Sequence, residues 1–225
     1  MDIKLNYTDS ADTGATEPLI LLHGNGESLE YFHAQIKYFS KHWRVIAVDT
    51  RGHGKSPRGT APFSLEQFAE DLKCFLDNLN LQRVNLLGFS DGGNIALLFS
   101  LKYPDRVIRL ILNGANLDPR GLKKSVLIGI FINFIISKLF RKTKNTELLS
   151  LMLTQPHILP EKLNSLNMPS LVIVGELDMI REEHSKLIAE SLGNGQLCVL
   201  RGSHFIANEN PSAFNKEVEN FLMST

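Results

Sequence analysis

Gly88-Phe89-Ser90-Asp91-Gly92 is a G-x-S-x-G pentapeptide, and its flanks decide what its serine does. Val84-Asn85-Leu86-Leu87-Gly88 reads as a buried strand, and Gly92 to Leu101 reads as a helix with apolar residues at i, i+3 and i+4. Ser90 therefore falls on a sharp strand-to-helix turn, where the backbone is forced toward positive φ and flanking glycines permit close backbone approach. Such a turn presents the hydroxyl for nucleophilic attack. The plainer use of a serine there is to cap the following helix.

A serine hydroxyl is a poor nucleophile at neutral pH, so it needs a base within reach and a third group that orients the base. Leu171-Val172-Ile173-Val174-Gly175-Glu176-Leu177-Asp178 reads as a buried strand running into a turn, which puts Asp178 at the strand's carboxyl end as the orienting acid, with Glu176 as its alternative. The next strand, Gln196 to Leu200, leads through Arg201-Gly202-Ser203 to His204, the expected base. The chain order Ser90, Asp178, His204 is one of the three in which this triad occurs.

Among seven histidines the main rival to His204 is His23, in Leu21-Leu22-His23-Gly24-Asn25-Gly26. That glycine-bearing stretch follows the first central strand, where backbone N–H groups can face a developing oxyanion. The backbone N–H groups of Asn25 and Asp91 are the expected donors, with His23 holding the loop. His23, Gly24 and Asp91 are the expected substrate contacts.

These groups need a scaffold that carries them to one edge. β-prone runs recur at Leu19–Leu22, Arg44–Val48, Val84–Leu87, Val107–Leu112, Leu171–Val174 and Gln196–Leu200, and Met1 to Tyr7 alternates like a further strand. Helical patterns fall at Leu29–Phe39, Ser64–Leu79, Gly92–Tyr103, Glu182–Leu192 and Pro211–Met223, the second opened by a Ser64-x-x-Gln67 capping box. This alternation predicts an α/β fold: a mostly parallel sheet covered by helices on both faces, with reactive groups at the strands' carboxyl ends.

The rhythm breaks between Gly114 and Pro169, where a helical, locally basic segment stands in place of a strand; residues 116–168 are expected to be a short helical lid within one domain spanning 1–225. Its run Val126 to Ile136 is almost wholly apolar and flanked by Lys123, Lys124, Lys138, Arg141, Lys142 and Lys144. It is too short to span a bilayer, which takes roughly 18 or more residues. A buried lid helix lining an acyl pocket for medium chains is the leading expectation; an interfacial helix and a homodimer through the helix are the alternatives.

With 225 residues, 43% of them apolar, the chain is long enough for one such domain with a sizeable core. Lysine plus arginine equals aspartate plus glutamate at 24 each, so no overall field favours nucleic acid. Cys74 and Cys198 lack C-x-x-C spacing, and the amino terminus lacks the basic-then-apolar profile of a signal peptide; both point to buried thiols in a cytoplasmic protein. Gly52-His53-Gly54-Lys55-Ser56 ends like a phosphate loop, yet Asp49 stands where its first glycine belongs. Gly24-Asn25-Gly26-Glu27-Ser28-Leu29 lacks the third glycine of a dinucleotide fingerprint, and no H-E-x-x-H occurs. Neither cofactor nor metal is implied.

With the three residues placed, the chain resembles the α/β-hydrolases along nearly its whole length. His23-Gly24 resembles that family's oxyanion turn, and Asp49-Thr50-Arg51-Gly52-His53-Gly54-Lys55-Ser56 resembles its D-x-R-G-x-G-x-S loop. Gly88 to Gly93 together with Asn113-Gly114-Ala115-Asn116 is similar to the valacyclovir hydrolase, or biphenyl-hydrolase-like, branch. The resemblance implies a serine hydrolase acting on a small-molecule carboxylic ester, with thioester, lactone, amide and carbon–carbon cleavage as relatives of that chemistry. It also implies an Asp91 carboxylate that binds a substrate α-amino group. A fold of this kind without turnover, retained for ligand binding or signalling, is the alternative from another class.

Overall fold

The computed structural model describes residues 2–10 and 17–224. Met1, the first residue of the alternating amino-terminal stretch, lies outside them. Seven strands form one sheet: β1 (Tyr7–Asp9), β2 (Leu19–Leu22), β3 (Val45–Val48), β4 (Val84–Phe89), β5 (Val107–Asn113), β6 (Ser170–Leu177) and β7 (Gly195–Ser203), in the order β1-β3-β2-β4-β5-β6-β7. Only β1 runs antiparallel, against β3. The helices are α1 (His33–Phe39), α2 (Leu65–Asn78), α3 (Asp91–Lys102), α4 (Lys124–Leu139), α5 (Thr143–Thr154), α6 (Glu182–Ser191), α7 (Ile206–Glu209) and α8 (Pro211–Met223).

Every residue of β2, β3 and β4 is buried, as a parallel sheet covered on both faces requires. Successive side chains go to opposite faces: Ile20 and Leu22 pack with Phe68, Leu72 and Ile95 of α2 and α3, while Leu19 and Leu21 pack with Phe39, Phe214 and Val218 of α1 and α8. The edge strand β7 is only half-buried, and its Cys198 is half-buried rather than enclosed, as is Cys74.

Local signals account for most element starts. Ser64 Oγ accepts from Gln67 N at 3.2 Å and caps α2, while the Gln67 side-chain amide is turned to donate to Asp71 Oδ1 at 3.0 Å and makes no return bond to Ser64 N. The helix expected from Leu29 splits into a tighter turn at Leu29–Phe32, capped by Ser28, and then α1.

Between β5 and β6 lie α4, α5 and two short turns, Pro119–Gly121 and Pro160–Ser165, with no strand among the described residues of the segment. α5 is tied to the rest of the molecule: Leu151 enters the main core, Glu147 pairs with Arg58 at 2.9 Å, and Gln155 accepts from Leu65 N. α4 packs Ile130, Val126 and Leu127 with Leu149, Met152 and Leu153 of α5. The expectation of a buried α4 lining an acyl pocket is not met. Ile128, Phe131, Ile132, Ile135 and Ile136 are 44–61% exposed, because α5 takes up one face of α4 and nothing covers the other among the described residues.

Candidate active site

The sheet register explains why distant residues meet. Leu22 pairs with Gly88, and Gly88 with Leu112, so His23-Gly24, Ser90 and Gly114 emerge side by side at one edge. β6 and β7 reach farther, and after an irregularity at Gly175 the pair Leu177–Ser203 closes the ladder. Asp178 and His204 are the next residue of each strand. Their side chains meet at once: His204 Nδ1 lies 2.7 Å from Asp178 Oδ1, and both side chains are 4% exposed. Asp178 Oδ1 also accepts from Ile180 N at 2.9 Å, which fixes the carboxylate's orientation. Glu176 points outward and is exposed, so the acid beside His204 is Asp178.

Ser90 stands at the amino end of α3 with φ +52° and ψ −120°, the strained turn its pentapeptide predicts. Its N–H donates to Asn113 O at 2.8 Å, and it caps nothing with its side chain. The turn is as tight as it is because Gly92 has no side chain: a Cβ there would lie 2.0 Å from Leu22 O. Phe89, just before the serine, packs its ring 4.8 Å from that of His204 and stacks parallel on Tyr31 at 4.2 Å.

The Gly24–Gly26 loop passes over this turn, and a Cβ on Gly24 would sit 3.2 Å from Ser90 Cβ and 3.0 Å from the Phe89 ring. Neither the Asn25 nor the Asp91 backbone N–H has an acceptor among the described residues. The Asp91 N–H is also at the positive end of α3.

His23 takes the loop-holding place and not a substrate contact. It is 1% exposed, Nδ1 donates to Gly24 O at 2.7 Å, and Nε2 accepts from Thr50 N at 3.1 Å. Burial, with His53 nearby, pushes its pKa down to about 4, so the ring is a neutral strut.

Asp49 extends the same brace, accepting from Leu29 N at 2.7 Å and Lys55 N at 2.8 Å. Arg51, fully buried, is held by Asp71 and Asp2, which push its pKa up against the cost of burial. The D-x-R-G-x-G-x-S loop is thus scaffolding for the neighbouring loop at Gly24.

Asp91 is buried, and its carboxylate accepts from Asn25 Nδ2 at 2.9 Å and Asn94 Nδ2 at 3.1 Å. Burial pushes its pKa up, opposed by these two amides. The Asn25 amide also donates to Leu148 O of α5 at 3.0 Å, so Asp91, the Gly24 loop and α5 form one polar chain. Asn94 in turn pairs with Asn116, which explains the role of the Asn113–Asn116 stretch.

Three further residues border the site, and of these only Gly114, inside the Asn113–Asn116 stretch, carried a sequence signal. Gly114, at φ +62°, faces His204 at close range: a Cβ there would be 2.7 Å from His204 Cε1. Glu27 has a buried carboxylate oxygen without a partner among the described residues, and burial, opposed by Gly24 and His204, pushes its pKa up to about 7. The Tyr31 hydroxyl is buried and unpartnered likewise, its pKa raised mainly by burial. A cavity of about 810 Å³ between α2 and Pro160–Ser165 touches none of Ser90, Asp178 and His204 and is no part of this site.

Residues 17–129 match the model of a family described as having the alpha/beta hydrolase fold. The chain is 39% identical over 118 residues to the (E)-2-((N-methylformamido)methylene)succinate hydrolase of Acinetobacter baylyi, an alignment covering 52% of this chain and 44% of that one. It is 38% identical over 113 residues to the 2-hydroxy-6-oxo-2,4-heptadienoate hydrolase of Pseudomonas putida, covering 48% and 41%. The chain thus aligns with less than half the length of these relatives. In three dimensions it is similar to the enol-lactonase of Burkholderia xenovorans, with a TM-score of 0.82, 22% identity and coverage of 99% of this chain and 97% of that one, a likeness of fold.

Proposed function

The chain belongs to the α/β-hydrolase fold family, and on that premise we propose that it is a serine hydrolase cleaving a carboxylic ester, or a related acyl bond, of a small molecule. The observation that carries this reading is the buried His204–Asp178 pair at 2.7 Å, next to a left-handed serine at a helix amino terminus. Asp178, an acceptor only, keeps the proton on Nδ1 and leaves Nε2 of His204 free as the base.

His204 takes the Ser90 proton as Oγ attacks the acyl carbon. The N–H groups of Asn25 and Asp91 hold the tetrahedral oxygen, a term worth about 3 kcal/mol per donor. His204 then protonates the leaving alcohol, and water, deprotonated by the same ring, releases the acid from Ser90. Every step draws on this chain's own groups, and the β5–β6 segment acts as the lid.

The relatives' names favour a second reading, in which the bond cleaved is carbon–carbon or that of an enol lactone. A panel of p-nitrophenyl acyl esters, aminoacyl esters, lactones and vinylogous diketone acids, run with Ser90→Ala as background, tests both. Ester turnover that vanishes in Ser90→Ala supports the first reading. Turnover confined to the diketone acids or lactones supports the second, and silence across the panel points to a binding protein.

A further inference from the structure

We propose that the solvent-facing side of α4 is a docking surface for an anionic lipid bilayer. Ile128, Phe131, Ile132, Ile135, Ile136 and Leu139 follow the i, i+3, i+4, i+7, i+8, i+11 spacing of a single helical face, and each is 44–75% exposed. At roughly 100 Å² for each half-exposed side chain, the stripe opens on the order of 600 Å² of apolar surface to water, the upper end for a monomer. α5 already covers the opposite face, so this stripe is surplus to folding the chain. An α-helix that is apolar on every side is stable in water only when both faces are covered.

Charge chooses the occupant. Lys123 and Lys124 stand at one end of the stripe and Lys138, Arg141, Lys142 and Lys144 at the other; all six are exposed, and none forms an ion pair among the described residues. No aspartate or glutamate occurs from residue 119 to 146, in a chain whose formal net charge is zero. Two lysines at the start of α4 also oppose the positive end of its dipole, so local stability is no reason for their placement. A second copy docked α4 to α4 would set these cations against their like, whereas lipid phosphates would neutralise them. At 16 residues α4 is about 24 Å long, too short for a hydrocarbon core of about 30 Å, and no helix of the described residues is long and apolar enough to cross a membrane. The helix would lie flat, stripe inward, with cations at the headgroups at both ends.

Cosedimentation with vesicles of phosphatidylcholine alone and with 30% phosphatidylglycerol, at low and at 300 mM salt, tests this without any activity assay. Binding at least tenfold stronger to the anionic vesicles, and weakened by salt, is expected. Phe131→Ser/Ile132→Ser/Ile135→Ser should cost more than tenfold. Lys124→Gln/Lys138→Gln/Lys142→Gln should do the same, since each cation near an anionic surface is worth roughly fivefold. The second variant leaves every apolar contact in place, so it decides the matter if the first folds poorly. No vesicle binding, together with a dimer in sedimentation equilibrium that the serine variant breaks, overturns the proposal in favour of a second copy. A monomer that ignores both vesicle types overturns it outright.

Discussion

Gly114→Ala is a sharp test of the site's geometry because the added atom reaches His204 directly. At φ +62° an alanine pays about 1–2 kcal/mol for the left-handed conformation. For a chain of this size that lowers Tm by roughly 2–8 °C. The chemical effect is separate. The new Cβ would sit 2.7 Å from His204 Cε1 and 2.8 Å from Nδ1, against 3.4 Å for ordinary contact, so the imidazole has to retreat by about 0.7 Å. It cannot retreat freely, because Nδ1 is bonded to Asp178 at 2.7 Å.

A displacement near 1 Å in a catalytic group costs on the order of a hundredfold. The expected result on the best ester from the panel, measured well below Tm, is a kcat reduced roughly 30- to 300-fold with KM within threefold of the parent. In a His204→Ala background the same substitution should cost less than twofold, since the clash then has nothing to displace. A Gly114→Ala enzyme that keeps its kcat within threefold while losing the expected few degrees of Tm would refute the placement of His204 against Gly114. An equal loss in both backgrounds would show that the substitution acts on something other than the histidine.

Asp178→Asn should lower kcat by about 10⁴ with little change in Tm, since an amide can favour the wrong tautomer of His204; retention of activity would move the acid elsewhere. Asp91→Ala should lower kcat/KM for acetyl and aminoacyl esters alike, because the carboxylate is engaged by Asn25 and Asn94 and positions the loop. A loss more than tenfold larger on aminoacyl esters would instead make Asp91 an amine site. Stability should respond to pH through two opposed groups. His23, with a folded pKa lowered to about 4, contributes stability that is lost as pH falls from 6.5 to 4; Glu27, raised to about 7, contributes stability present below 4.5 and lost as pH rises to 7. Glu27→Gln should therefore steepen the fall of Tm between pH 6.5 and 4, and an unchanged slope would show that Glu27 is not the buried acid described.

Strands β2 to β5 and helices α2, α3, α6 and α8 were legible because each is written in apolar period and punctuated by a cap, a proline or a glycine within a few residues of its end. The alternation also gave the two-sided parallel sheet. What failed was environment. Val126 to Ile136 has the composition of a buried helix, and composition does not say which of two apolar faces is covered; that depends on α5, whose own signal is weak. β6 runs on to Leu177, as the placing of Asp178 at the strand's carboxyl end requires, although its last two residues are exposed and the β-prone run itself stops at Val174.

The site divides along the same line. Ser90, Asp178 and His204 each stand at an element boundary that the local sequence marks, and a rule about strand ends brings them to one edge. Gly114, Glu27, Tyr31 and Leu148 O act through partners that are 90, 177, 58 and 123 residues away, namely His204, His204, Phe89 and Asn25. No local pattern encodes such pairs; only the sheet register, with Leu22 against Gly88 and Leu177 against Ser203, creates them. The register also accounts for the surroundings of Asp91, for which the resemblance implies an amine contact. A carboxylate one residue from a nucleophile looks like a group awaiting a substrate cation, yet the loop after β2 delivers the Asn25 amide to it, and α3 supplies Asn94 one turn later. Its buried carboxyl group is thereby met by two donors of the chain itself, and the same Asn25 amide carries the link on to α5. Position of α5 and geometry of the Gly24 loop are consequently not independent, and a substitution at Asn25 is expected to disturb both together.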